Sequence, residues 1–250
     1  EYTYSYNLMG MKPFWSTLLQ TDVWTNISDN SMGAAINSVA LSPDGNYLAV
    51  GLANNDIKIL NPNTGATIAT LSGHTAAITS VAFSPDGTKL ATGSASATNN
   101  IKIWNTAGWS NTQTLTHTGT SVNALVFNPA STQLASGTSA ATDNLVVWQV
   151  SDWSTLTSKT HSLTGVLSVA YSADGTMLAS GADDTSDNIK IWATSGWTNT
   201  QTLNQHTDAV TSLAFNPAGT LLASGSTDLT VKIWETTGWT NTQTISPAAG

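Results

Sequence analysis

Four histidines are the residues whose type and spacing could do chemistry, because imidazole serves as a metal ligand and as a general base. His74, His117, His161 and His206 lie 43, 44 and 45 residues apart. Metal sites need side chains that converge on one point, as two His one helical turn apart do on zinc. A long regular interval instead predicts one His at the same position of each repeated unit. We therefore expect each His to be hydrogen-bonded within its own unit, with no metal site.

The other reactive residue types form no recognisable site. Asp183, Asp184 and Asp187 lie in one loop, but they lack the Gly and closing Glu of an EF-hand, which favours a solvated loop over a Ca²⁺ site. Cys is absent, which removes thiol nucleophiles and disulfides. No Gly-x-Ser-x-Gly, Walker-type or dinucleotide-binding motif is present. The sequence predicts a protein that is not an enzyme and has no cofactor.

The charge balance excludes two classes of partner. The chain carries seven Lys, no Arg and 15 acidic residues, for a net charge of −8 at pH 7. Nucleic-acid binders need a basic face that displaces counterions from phosphates, so nucleic acid is not an expected partner. The same charge disfavours attraction to an anionic membrane surface. No apolar run approaches the ~20 residues of a spanning helix, so we expect no membrane insertion.

Hydroxyl-bearing side chains dominate the composition. The chain holds 41 Thr, 29 Ser and 10 Trp, whereas only 9% of its residues are charged. Disordered chains are usually rich in charge and poor in aromatic residues, so this composition is typical of a folded protein. Thr, Val, Ile, Trp and Tyr favour strands, which predicts an all-β fold.

A repeat of 42 to 44 residues organises most of the chain. Its turn signal occurs five times, at Ser42–Gly45, Ser84–Gly87, Asn128–Ser131, Ser172–Gly175 and Asn216–Gly219. An alternating apolar segment such as ITSVAF precedes each turn, and segments such as LASGS, IKIW and GWTNTQT follow it. Each repeat thus predicts four short strands in an antiparallel meander. One such sheet cannot bury both faces alone, whereas five sheets stacked around an axis can.

Strand periodicity also places side chains within each unit. In the fourth strand, alternation predicts Thr198, Thr200 and Thr202 on one face. The other face is predicted to hold Trp197, Asn199, Gln201 and Leu203. One Lys recurs in the third strand, and we expect its stem to lie on the sheet with its ammonium group in water. The recurring Lys are Lys58, Lys102, Lys190 and Lys232.

The SPDG turn, the LASGS strand and the IKIW strand together resemble the WD-repeat β-propeller family, over residues 36–250. The resemblance implies a β-propeller that binds other proteins. Family members most often have seven blades, whereas the five complete repeats here predict five complete four-stranded blades. It also implies a buried network of His, Ser/Thr, Asp and Trp, which maps fully onto the last repeat as His206, Ser224, Asp228 and Trp234. The sequence departs from the family pattern because its first repeat has no His and no Trp is followed by Asp.

Residues 1–35 form a separate N-terminal segment, too short for a blade, that we interpret as extra strand material. Its first 15 positions hold five aromatic side chains that we expect to be assembly contacts between copies: Tyr2, Tyr4, Tyr6, Phe14 and Trp15. Strand addition to a sheet edge would bury them, and such a contact propagates as a filament unless it closes. The alternative is that the segment packs on its own propeller. Only the first arrangement predicts a folded monomer after deletion of residues 1–23.

Two functions remain open from the sequence. One is a non-catalytic structural propeller that assembles with copies of itself outside the cell or at its surface, where its hydroxyls are available for glycans. The other is an intracellular scaffold for protein–protein interaction, as the family resemblance implies. Asn26-Ile27-Ser28 is the only N-x-S/T sequon, so Asn26 is the candidate N-glycosylation site if the chain is secreted.

Overall fold

The structure, a computed structural model, describes residues 31–186 and 188–246. These residues form twenty β-strands and no helix. The strands make five four-stranded sheets, each from four consecutive antiparallel strands. This confirms the predicted all-β propeller of five complete blades. The predicted extra strand material of the N-terminal segment lies outside the described residues, except for residues 31–35, which contain no strand.

The blades follow one another along the chain. Blade 1 comprises β1 (Ile36–Leu41), β2 (Leu48–Leu52), β3 (Ile57–Leu60) and β4 (Thr67–Leu71). Blade 2 comprises β5 (Ile78–Phe83), β6 (Lys89–Ser94), β7 (Ile101–Asn105) and β8 (Asn111–Leu115). Blade 3 comprises β9 (Val122–Phe127), β10 (Gln133–Thr138), β11 (Leu145–Gln149) and β12 (Thr155–Lys159). Blade 4 comprises β13 (Val166–Tyr171), β14 (Met177–Ala182), β15 (Ile189–Ala193) and β16 (Thr198–Leu203). Blade 5 comprises β17 (Val210–Phe215), β18 (Leu221–Ser226), β19 (Val231–Glu235) and β20 (Asn241–Ile245).

The turn between the first two strands of a blade is closed by its own side chains. In blade 1 the Ser42 hydroxyl donates to Asp44 Oδ1 over 2.6 Å, and this bond is the main cause of a lowered pKa of Asp44. Gly45 has a φ of 73°, in the left-handed region that glycine adopts without strain. In blade 3 the turn ends in Ser131 instead, which adopts the same conformation with a φ of 59°. These turns set the register of each hairpin.

The Trp of the Gly-Trp segment lies in a turn rather than in the fourth strand. Strand β16 begins at Thr198, and Trp197 has a φ of 53°, so Trp197 is not part of the strand. Trp109 adopts the same conformation, and its ring packs edge-on against Tyr47 of the preceding blade at a centroid distance of 5.1 Å. Local propensity does not reveal this placement, because a non-glycine residue at positive φ requires tertiary packing to hold it.

The predicted alternation is also wrong within β16, because a register shift pairs Asn199 with Trp192 and Thr202 with Lys190. Asn199 and Thr202 therefore share a face, and the Thr202 hydroxyl donates to Asn199 Oδ1 over 3.3 Å.

Neighbouring blades meet through the same contact four times. The first residue of the inner strand is branched at Cβ and fully buried at Ile78, Val122, Val166 and Val210. Its side chain lies against a glycine in the second strand of the preceding blade, at Gly51, Gly93, Gly137 and Gly181 respectively. A Cβ added at Gly93 would lie 2.6 Å from Val122 Cγ1, so no larger residue fits there without displacement. Four hydrophobic clusters each span one of these junctions.

Blades 1 and 5 share no junction of this kind. The inner strands pack in the order β1, β5, β9, β13 and β17, and within the described residues no packing of similar extent joins β17 or β18 to β1. Among the residues that the structure describes, no hydrophobic cluster contains residues of both blades. The described blades therefore form an open arc with two end faces. The head face of blade 1 carries Ile36 and Val39, and the tail face of blade 5 carries Gly225, Val231 and Ile245.

Candidate functional site

The structure brings together the four residues that the family resemblance assigns to the last repeat. Trp234 Nε1 donates to Ser224 Oγ over 2.9 Å, and Ser224 Oγ lies 2.8 Å from His206 Nε2. His206 Nδ1 lies 2.7 Å from Asp228 Oδ2. Because a carboxylate accepts hydrogen, this contact assigns the ring proton to Nδ1, and Nε2 then accepts the hydrogen of Ser224.

Asp228 is held as a carboxylate by several donors. Burial alone would raise its pKa, but hydrogen bonds from the Thr230 hydroxyl, from His206 and from the Thr207 backbone N–H outweigh burial. The pKa of Asp228 therefore lies well below its usual range. The network links the loop before β17 to β18, β19 and the turn between them.

Ser224, His206 and Asp228 form the same hydrogen-bond chain as a hydrolase triad. Whether they can act on a substrate depends on whether a substrate can reach the Ser224 hydroxyl. Ser224 and His206 are each only 1% exposed. The Ser224 oxygen already accepts the indole hydrogen of Trp234, which packs in the core between blades 4 and 5. A nucleophile must come within reach of its substrate, and this hydroxyl faces only its own blade and the core. The arrangement fixes strands in place and has no route to a substrate.

Blades 2 and 3 use the same His position with other acceptors. His74 Nε2 lies 2.8 Å from Thr92 Oγ1. His117 Nδ1 lies 2.8 Å from Ser136 Oγ, and its Nε2 lies 2.6 Å from the carbonyl oxygen of Asp143. In blade 3 a backbone carbonyl thus takes the place of the Asp228 carboxylate. A neutral carbonyl stabilises a protonated ring less than a carboxylate does.

The protonation of these rings follows from their surroundings. Burial lowers the pKa of His74 to about 4, with a smaller contribution from Lys102. Burial likewise lowers the pKa of His117 to about 4, against the opposing effect of Asp143. Both rings are therefore neutral near pH 7. In blade 4, His161 Nδ1 lies 2.8 Å from the hydroxyl oxygen of Ser180.

Blade 1 builds the same region from apolar side chains. Val50 takes the position of the Ser/Thr, and Leu60 takes that of the Trp. These two residues are buried with Leu52 and pack against Met32 and Ala34. The first blade therefore needs no buried hydrogen-bond network.

The recurring Lys side chains are half-buried and bonded locally. Lys58 Nζ donates to the Met32 carbonyl over 3.1 Å, and Lys232 Nζ donates to Thr244 Oγ1 over 3.2 Å. Lys102 makes the equivalent bond to Thr114 over 3.3 Å. The bonds of Lys102 and Lys232 place their stems along their own sheets. Lys58 and Lys190 instead donate to backbone carbonyls outside the strands, those of Met32 and His161.

The head face of blade 1 exposes residues that are buried elsewhere. Ile36 is 54% exposed, whereas its counterpart Ile78 is 0% exposed. Val39 is 59% exposed, whereas its counterpart Val81 is 7% exposed. No blade of the described chain precedes blade 1, so these branched side chains have no glycine on which to sit.

The tail face of blade 5 is the complementary half of that contact. Val231 is 39% exposed and Ile245 is 50% exposed, whereas the counterparts of both are buried in blades 1, 2 and 4. A Cβ added at Gly225 would meet no atom of another blade, and its nearest neighbour is Ser212 Oγ of the same sheet. A groove of about 410 Å³ lies on this face and is lined by Gly225, Leu229, Val231 and Ile245.

Each internal junction also contains a hydrogen bond to the carbonyl of the branched residue, and the two end faces each hold one partner of such a bond. At the junction of blades 2 and 3, the Thr79 hydroxyl donates to the carbonyl oxygen of Val122 over 2.5 Å. Equivalent bonds come from Asn37, Asn123 and Ser168 at the other three junctions. Thr211 holds the position of Thr79 in blade 5, and its hydroxyl contacts the Gly225 carbonyl of its own sheet at 3.5 Å.

Several sequence-predicted residues lie outside the described part of the chain. These are Asn26 and the predicted assembly contacts Tyr2, Tyr4, Tyr6, Phe14 and Trp15. The end faces were missed from the sequence. Their signal is the glycine of each LASGS-like strand together with the branched residue that starts each inner strand, but every copy of this pattern looks alike.

Two further features concern the described residues only. They contain no group of three or more His, Asp or Glu placed to hold a metal ion. Nor does any helix there have the length and apolarity required to cross a membrane.

Comparison with known families finds the same number of repeats, although the matched segments are offset by one strand from the blades. The family model described as "WD domain, G-beta repeat" matches residues 27–61, 65–105, 109–149, 153–192 and 197–235. Together these five segments cover most of the chain. No curated protein matches it.

Proposed function

We propose that this chain, which belongs to the WD-repeat family, is a non-catalytic structural propeller that assembles with copies of itself. Propellers of this family mediate protein–protein interaction. The exposed end faces carry the proposal: Ile36, Val231 and Ile245 are open at positions that internal junctions bury. On the tail face, Val231 and Ile245 are cross-strand partners, so they are exposed side by side. An exposed apolar patch on a folded protein marks an interaction site.

The chemistry of the described residues supports a non-catalytic role. The Ser224 hydroxyl and the ring histidines are buried in networks that hold strands. A second groove, of about 540 Å³, is lined by Asp86, Lys89 and Trp153. Burial raises the pKa of Asp86, but hydrogen bonds from Ser84 and Thr88 to Oδ1 outweigh burial, so the pKa of this carboxyl lies below its usual value. A general acid or base works best with a pKa near the working pH, and the lowered pKa of Asp86 moves it away from that range.

Sedimentation velocity of the 250-residue chain tests the self-assembly. We expect the weight-average mass to exceed that of the 26.0 kDa monomer and to rise with protein concentration. A single 26.0 kDa species at every concentration would contradict the proposal and favour a scaffold for other proteins.

The proposed location is outside the cell or at the cell surface. Support comes from the composition, with few charges, abundant hydroxyls and the Asn26 sequon. Fractionation of the native source should recover the protein from the medium or from the labelled cell surface, with a glycan on the Asn26 peptide. Recovery from the cytosol alone, with unmodified Asn26, would argue for the intracellular scaffold.

A further inference from the structure

We infer that copies of this chain associate head to tail, with the head face of blade 1 in one copy docked on the tail face of blade 5 in the next. Ile36 of one copy then sits on Gly225 of the other, as Ile78 sits on Gly51 within the chain. The inference rests on the proposed self-assembly and adds which two surfaces meet. The contact is a fifth version of a junction that the chain already makes four times.

Both halves of this contact already have the geometry of the internal junctions. Ile36 and Ser38 flank the same register shift in β1 as Ile78 and Ser80 do in β5, so Ile36 is presented in the same way. Gly225 pairs with Val231 across β18 and β19, as Gly93 pairs with Ile101 across β6 and β7. Since neither face has to rearrange, little of the association free energy is lost to ordering.

The two faces are also complementary in shape and polarity. The tail face offers the groove over Gly225 and the hydroxyl of Thr211, whereas the head face offers Ile36, Val39 and the carbonyl of Ile36. At internal junctions these are the parts that pair, since Thr79 donates to the carbonyl of the branched residue in the next blade. A second copy of the chain supplies all of them at once.

Charge favours an uncharged contact of this kind. Each copy carries a net charge of −8, so two copies repel each other at low salt. The residues that line the tail groove carry no charge. Added salt screens the repulsion without weakening apolar packing, so association strengthens as salt rises.

Such a contact is heterologous, because one copy uses its head face and the other its tail face. Each added copy leaves one free head and one free tail. The assembly therefore grows until it closes into a ring or continues as a filament.

Two blocking variants test the inference on the full chain. Ile36→Asp places a charge on the head face, and Gly225→Leu fills the groove of the tail face. An added Cβ at Gly225 comes into close contact with the Ser212 hydroxyl alone. The matched controls are Ile68→Asp, at a 46% exposed Ile on the outer strand of blade 1, and Gly196→Leu, at a turn glycine with open space around it. Circular dichroism melting is the control that establishes whether each variant is folded.

Each blocking variant should sediment as a 26.0 kDa monomer at concentrations where the parent chain assembles, with association weakened by about 100-fold or more because a buried charge or a steric clash lies at the contact. The control variants should assemble like the parent. An equimolar mixture of the two blocking variants should form a dimer and nothing larger, because each retains one intact face.

The outcomes separate the inference from the proposed function. A parent chain that stays monomeric overturns both. A parent chain that assembles while Ile36→Asp and Gly225→Leu leave its assembly unchanged overturns the inference alone, and it points to the N-terminal segment as the contact. Blocked variants that fail to pair in the mixture also overturn it, because closure within one chain or a symmetric contact would then explain the block.

Discussion

The internal blade junctions and the two end faces are built from the same residues but differ in what covers them. At the junction of blades 1 and 2, Ile78 is completely buried on Gly51. At the ends of the arc, the equivalent Ile36 is more than half exposed, and Gly225 has no side chain of another blade above it. Identical local chemistry thus stabilises the fold in one place and is left for association in the other.

The end blades also differ from each other inside. Blade 5 holds its strands with the His206–Asp228 network, whereas blade 1 packs Val50 and Leu60 against Met32. Replacement of a buried polar network by apolar packing can be neutral for stability when all its members change together. Blade 1 therefore shows that a blade of this fold can form without the network.

Acid should cause the largest loss in the free energy of unfolding. This loss should come from the histidines of blades 2 and 3, since blade 1 has none. His74 and His117 have a folded-state pKa of about 4, whereas an unfolded His titrates near 6.5. The unfolded state therefore binds more protons as pH falls below 6.5, and the stability present above that pH is lost down to about 4. We expect each His to cost about 3 kcal/mol at pH 4.

Urea unfolding at intervals between pH 7.5 and 4 measures this loss. His117→Gln should flatten the dependence by removing one titrating group. A free energy of unfolding that stays constant over this range would show that the rings remain able to protonate in the folded protein.

The branched residue of a junction should matter far more inside the arc than at its end. Ile78→Ala removes fully buried methyl groups and should lower the free energy of unfolding by about 3 kcal/mol. Ile36→Ala makes the same change on a half-exposed residue, and we expect a loss below about 1 kcal/mol in dilute protein. Equal losses from the two substitutions in urea titrations would mean that Ile36 is buried within the chain.

The glycine side of the junction offers the mirror comparison. In Gly93→Ala the new Cβ would overlap Val122, so we expect a loss of about 2 kcal/mol. Gly225→Ala should change stability by about 0.5 kcal/mol or less, because only the Ser212 hydroxyl is close. Thermal melting of dilute samples distinguishes the two. A large loss of stability from Gly225→Ala would indicate that another part of the chain packs over Gly225.

Removal of one member of the blade 5 network should cause a smaller loss of stability. Blade 1 has no such network, so a matched change there does not break hydrogen bonds. Ser224→Ala leaves the Trp234 indole hydrogen without its acceptor and His206 Nε2 without its donor, for a loss of about 1–2 kcal/mol. Val50→Ala in blade 1 is the matched change at the same position, and it removes packing without orphaning a polar group. A double-mutant cycle between Ser224→Ala and Trp234→Phe should reveal coupling between the two residues. Additive losses would contradict a cooperative network.

The blades could be predicted because each repeat has its own turn signals between strands. The turn signal seen at Asp44 and Gly45 and the apolar alternation both occur five times. The four network residues of the last repeat could be predicted because this repeat has all four residues of the family pattern, from His206 to Trp234. The left-handed turn at Trp197 was not predictable, since alternation carries no information on φ. The open ends were also hidden, because Ile36 and Val210 look equivalent in sequence, and only the presence of a preceding blade distinguishes them.

Disulfide trapping tests the head-to-tail contact most directly, because the chain has no cysteine of its own. A Cβ placed at Gly51 lies 3.1 Å from Ile78 Cβ, so cysteines at the equivalent positions of two docked copies need only a small shift to bond. The double variant Ile36→Cys/Gly225→Cys, oxidised at an assembling concentration, should give a ladder of covalent oligomers on a non-reducing gel. An equimolar mixture of the two single variants should give dimers only. A double variant that stays at the monomer mass, reduced or internally cross-linked, would contradict the account.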